Sequence, residues 1–182
     1  MVMDSAQFRR GVEEAFAATP YPGDDGLVIH NENCEECAEV LAKYKGKRWL
    51  DYKDRPLSLI GPPIRESCLF FTPQAFRYYA PLIMLASAES FDDADLLTDY
   101  FINSLTPTND RHAPENAARL AAFAPAELQM LRLYLVFLKA AHPQDYTTSP
   151  RINVVSPLEK AITARLEGAN SREDNPPPRS EE

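Results

Sequence analysis

Apolar residues recur along most of this chain at three- and four-residue intervals, the period that gathers side chains on one face of an α-helix. Phe8, Val12, Ala15 and Phe16 form the first stripe, with Arg9, Arg10, Glu13 and Glu14 on the opposite face. Asp4 or Ser5 can cap this helix. Thr19-Pro20-Tyr21-Pro22-Gly23 stops it, because proline lacks a backbone donor and glycine frees the turn. Leu27-Val28-Ile29 is a short extended run, at most one strand. A second helix is expected from a capping box, Asn33 with Glu36 three residues later. Glu35 and Glu36 suit the positive end of its dipole, Cys37, Leu41 and Tyr44 point inward, and Gly46 ends it.

Residues 50 to 72 are irregular, broken by Pro56, Pro62 and Pro63, and Cys68-Leu69-Phe70-Phe71 reads as a short strand or a buried loop. Thr72-Pro73 is a cap followed by proline at the first helical position. The helix it opens, to about Ala88, is apolar on nearly every side, the pattern of a central, buried helix. Pro81 is expected to kink it, since the amide that would bond the carbonyl of Arg77 is missing. Further helices are expected from Asp92 to Leu105, from Glu115 to Phe123, and from Pro125 to His142, the last with Leu128, Leu131, Leu135 and Leu138 on one side. A final helix opens at Ser156-Pro157-Leu158-Glu159 and closes at Gly168. The expected fold is therefore mainly α: a single-domain bundle of six or seven helices over residues 1–168, with at most a small strand pair. Residues 169–182, polar and proline-rich, are expected to be a disordered tail.

Composition narrows the function classes. The net charge of −8 repels phosphate backbones and anionic lipid, which disfavours nucleic-acid and membrane-surface roles. No apolar stretch approaches the ~20 residues that span a bilayer. The first residues lack a basic start followed by an apolar run, so a cytoplasmic protein with reduced cysteines is expected. An odd count of three cysteines also argues against a disulfide framework. An acidic surface suits a basic protein partner. Asp92, Asp95 and Asp99, at i, i+3 and i+7 on one helix face, are the candidate interaction surface. A helix dipole and plain solvation account for the same residues without any partner.

The segment with chemical content is His30-Asn31-Glu32-Asn33-Cys34-Glu35-Glu36-Cys37. Two cysteines at i and i+3 near a helix start face the same way, and a histidine on the incoming loop can fold back to them. Zinc takes four tetrahedral ligands of sulfur or imidazole. His30, Cys34 and Cys37 supply three; Cys68, or Asp24 or Asp25 from the preceding turn, is the candidate fourth. A thiol-redox reading of the Cys-x-x-Cys spacing is disfavoured by the charges of Glu35 and Glu36 and by the absence of a βαβ framework. No Gly-x-Ser-x-Gly, His-Glu-x-x-His or phosphate-cradling glycine loop is present.

Several blocks occur in a fixed order: Tyr21-Pro22-Gly23-Asp24-Asp25, Cys34-x-x-Cys37, Gly46-Lys47-Arg48-Trp49, the run from Phe71 through Thr72-Pro73-Gln74-Ala75-Phe76-Arg77-Tyr78-Tyr79-Ala80 to Pro81, and Phe123-Ala124-Pro125-Ala126-Glu127. Over residues 8 to 140 the chain resembles a family of small bacterial proteins classed as a domain of unknown function. Gln74 stands where that pattern has an acid. The resemblance implies a bacterial, cytoplasmic, helical protein and carries over no catalytic residue. The expected function is a non-enzymatic interaction module, immunity-like or regulatory, holding a basic protein by charge. The alternative is a zinc-binding protein built on His30, Cys34 and Cys37, structural or hydrolytic, with Asp24 or Asp25 as base in the hydrolytic case.

Overall fold

The computed structural model describes residues 3–30, 34–62, 65–108, 110–147 and 152–173. Its α-helices are α1 (Ser5–Phe16), α2 (Glu35–Tyr44), α3 (Leu57–Ile60), α4 (Pro73–Glu89), α5 (Phe91–Leu105), α6 (Ala113–Ala121), α7 (Pro125–Ala141), α8 (Pro143–Tyr146) and α9 (Ile152–Glu173). Short 3₁₀ turns lie at Asp24–Gly26, Trp49–Tyr52 and Arg65–Phe70. The protein is a mainly α, single helical domain, and among the described residues its β-structure is one isolated antiparallel bridge between Val28 and Phe71. No single described helix is long and apolar enough to cross a membrane.

The start signals explain the layout. Asp4 caps α1 through a reciprocal pair: its carboxylate accepts from the Gln7 amide at 2.7 Å, and the Gln7 side chain accepts from the Asp4 amide at 3.1 Å. Thr72 caps α4 by accepting from the Ala75 amide at 3.1 Å, with Pro73 at the first helical position. Phe76 and the run from Tyr78 to Ser87 are buried all round the helix, as its pattern predicts, because α1, α5, α6 and α7 surround it. Helix α4 continues through Pro81 to Glu89.

Three local expectations fail. The last helix begins at Ile152, with Pro157 inside it, and runs through Gly168 to Glu173. Val155, Leu158 and Ile162 are buried where α9 packs on α7 and α5, and burying Val155 draws the helix upstream of the Ser156-Pro157 signal. The first five residues assigned to the tail are therefore helical; 174–182 lie outside the described residues. The cap of α2 is Cys34, as shown below, and Asn33 lies outside the described residues.

Two polar networks sit inside the bundle. Glu127, 2 % exposed, accepts from Arg77 Nε at 2.7 Å and Nη2 at 2.9 Å, from the Thr19 hydroxyl, and from the Ala124 amide at 2.7 Å. The last bond is half of a capping box, since Ala124 has no side-chain acceptor to return it. The second network links α4, α5 and α7. Tyr134 donates to Ser87 Oγ at 2.9 Å, Ser87 and Thr98 hydroxyls lie 2.7 Å apart, and the Thr98 hydroxyl donates to the Ala94 carbonyl at 3.0 Å. Ser87→Ala removes one of the two side-chain partners of the buried Tyr134 hydroxyl, leaving Thr98, and is expected to cost ~1–2 kcal/mol. Urea unfolding should show a lower midpoint with an unchanged slope; an unmoved midpoint would show that the hydroxyls contribute nothing net.

Candidate metal centre

The segment that ends at His30 is anchored at two places. The Thr72 amide donates to the Leu27 carbonyl at 3.1 Å, the Ile29 amide to the Phe70 carbonyl at 2.9 Å, and the Thr72 hydroxyl to the Gly26 carbonyl. Residues 26–29 are thereby stitched to the start of the central helix. Upstream, Tyr21 donates to Asp24 Oδ1 at 2.6 Å, and the Gly46 amide donates to the same oxygen at 3.0 Å. Gly46 has φ of +68°, a left-handed backbone that glycine adopts without strain. It ends α2 and turns the amide onto Asp24. The Tyr21 hydroxyl, then the Gly46 amide, hold the Asp24 carboxyl below its usual range.

Cys34 takes the N-cap position of α2 in extended backbone, φ −110° and ψ 111°. Its sulfur accepts from the Cys37 amide at 3.3 Å, and its thiol donates to Glu36 Oε2 at 3.5 Å. Cys37, one turn on, is buried, and its sulfur lies 3.5 Å from His30 Nδ1. His30 is exposed and Cys34 half-buried. The ligand atoms of the three residues all lie within 4.8 Å of one another. Tetrahedral zinc, with Zn–S near ~2.3 Å and Zn–N near ~2.0 Å, holds sulfur and nitrogen about 3.5 Å apart and two sulfurs about 3.8 Å apart. The Cys37–His30 pair already stands at that separation, and the rest of the set needs to contract by no more than about 1.3 Å.

Burial, then the bond to Cys34, push the Cys37 thiol up to about 11. The sequence assigns the opposition to thiolate formation to the neighbouring glutamates; the charge of Glu36 contributes, but desolvation leads. An oxidoreductase thiolate of lowered pKa does not fit this position.

The fourth ligands proposed from sequence fare unequally. Cys68 is not part of the group. It is 1 % exposed on the Arg65–Phe70 turn, with its thiol pushed up to about 12 by burial and drawn down by the charge of Arg119. Asp24 has Oδ1 engaged by Tyr21 and Gly46. Asp25 is exposed and lines, with Asp24, Ile29, His30, Cys37 and Leu41, an open cleft of about 720 Å³. Neither aspartate belongs to the three-residue group. On the acidic face of α5, Asp92 is exposed, Asp99 is half-buried and engaged within the chain, and the Asp95 side chain lies outside the described ones.

Sequence reasoning missed the Tyr21–Asp24–Gly46 clasp and the Arg48 guanidinium stacked 4.0 Å over the Tyr21 ring. The signal was there in the Tyr-Pro-Gly-Asp-Asp and Gly-Lys-Arg-Trp blocks, which the clasp joins. Comparison with family models, with curated proteins and with solved structures gives no match to this chain.

Proposed function

We propose that this protein binds one zinc ion through His30, Cys34 and Cys37. The observation that carries this reading is the convergence of two sulfurs and an imidazole within 4.8 Å at the head of α2. The set is soft and mixed sulfur–nitrogen, which favours zinc over magnesium or calcium. The Cys37 amide pointing at Cys34 Sγ supports it, because an amide donor stabilises a sulfur that carries negative charge. Three protein ligands leave one position for water or for a group entering the adjoining cleft. Metal binding is preferred to the acidic docking surface on α5, since Asp99 there is held within the chain.

Elemental analysis of untagged protein purified under reducing conditions tests this. Zinc near one per chain is expected, falling more than ~100-fold in affinity in Cys34→Ser, because losing a ligand exceeds the ~10–100-fold loss of an outer-shell partner. Cys68→Ala should keep the ion. Protein that takes up no zinc, or loses it equally in Cys68→Ala, defeats the reading.

A further inference from the structure

We infer that Cys34 and Cys37 form a peroxide-oxidisable pair whose closure to a disulfide ejects the bound ion, an inference that rests on the zinc reading for the ion alone. Three observations carry it. The two sulfurs lie within 4.8 Å on one turn of α2, and a disulfide needs its sulfurs at ~2.0 Å, a closure within reach of side-chain rotation between residues three apart. Cys34 sits at the cap in extended backbone, so its side chain already folds over the first turn toward Cys37, as the 3.3 Å contact with the Cys37 amide records. Their exposure differs: Cys34 is half-buried and open to a small oxidant, while Cys37 is buried directly behind it. That is the arrangement of an attacked sulfur and a resolving one.

The Cys34 thiolate attacks a hydroperoxide, the O–O bond breaks, and Cys34 becomes a sulfenic acid while the other oxygen leaves as hydroxide or alkoxide and takes a proton from water. The Cys37 sulfur then attacks the Cys34 sulfur, the S–S bond forms, and the Cys37 thiol proton leaves with the departing hydroxide as water. Two electrons pass from the two sulfurs to the peroxide. A zinc ion that held both thiolates keeps only His30 and is released. Cys68 stays reduced, because it is wholly buried and outside the group.

The test uses the full chain loaded with zinc, with the metal content measured before any oxidant is added. One equivalent of hydrogen peroxide should release the zinc to a chromogenic chelator and remove two of the three thiols. The peptide spanning residues 34 and 37 should lose two hydrogens in mass. A dithiol reductant should restore both thiols and zinc uptake. Cys37→Ser should form no internal disulfide and should hold Cys34 as a sulfenic acid that a 1,3-dione reagent traps. A chain that holds zinc yet shows no disulfide overturns this inference and leaves the zinc reading standing. A chain that binds no zinc overturns the zinc reading and the ejection with it; the mass measurement then decides the disulfide alone.

Discussion

Arg77→Met is expected to cost about 3–4 kcal/mol and to lower the melting temperature by about 10 °C. Glu127 is 2 % exposed, whereas the Arg77 side chain keeps 24 % of its surface in contact with water. Removing the arginine leaves a carboxylate in the interior with only Thr19 and Ala124 as donors. Removing the glutamate leaves a cation that can still reach solvent. Glu127→Ala should therefore cost less, about 2–3 kcal/mol, mainly for the unpaired Thr19 hydroxyl and Ala124 amide. Replacing both by methionine should recover much of the loss, since a buried pair often contributes little beyond what apolar packing supplies. Urea melts of the two single variants and the double variant measure the coupling. Equal costs in the two single variants would show that exposure does not govern the pair.

Stability should fall by at least about 5 kcal/mol between pH 9 and pH 11. Burial raises Cys68 to about 12 and raises the Tyr44 and Tyr134 hydroxyls above their usual range, all three being at most 1 % exposed. In the unfolded chain a thiol ionises near ~8.5 and a phenol near ~10. A group whose folded pKa is raised contributes stability in full below its unfolded value and loses it as pH rises toward the folded one. Over this window the unfolded state sheds protons that the folded state retains. Cys68 accounts for about 3 kcal/mol and each tyrosine for about 1. With a total near ~5–15 kcal/mol, the domain should approach unfolding at the upper end. Thermal melts from pH 8 to 11 check this. The fall between pH 9 and 10 should shrink in Cys68→Ala, because the tyrosines ionise mostly above that range. A melting temperature flat to pH 11 would contradict the burial of these groups.

Much of the fold was legible because local signals and burial agree. Asp4 before α1 and Thr72-Pro73 before α4 are strong starts, and an apolar surface on every side of α4 permits only a central position. What failed shows where tertiary forces intervene. Ser156-Pro157 is a good start signal overruled by the packing of Val155. Sulfur ranks low among capping groups, so Cys34 passed unnoticed behind Asn33. Arg77 and Glu127 stand 50 positions apart, and nothing in a helical pattern marks two charges as buried partners. At the candidate site His30, Cys34 and Cys37 were legible because they fall within one short segment. The exclusion of Cys68 was not, because it depends on which way a distant turn faces the core.

The stitch between Val28 and Phe71 makes His30 the tip of a short tether rooted in the interior. All three donors of the set lie within eight consecutive residues, so gathering them on an ion costs the unfolded chain only the closure of a short loop. An ion gripped by such a segment is held as by a small chelating peptide, and it favours folding only by the difference between its affinities for the two states. The helices should then stand whether the grip is full or empty. An ion at the proposed site should come and go while the domain around it stays folded.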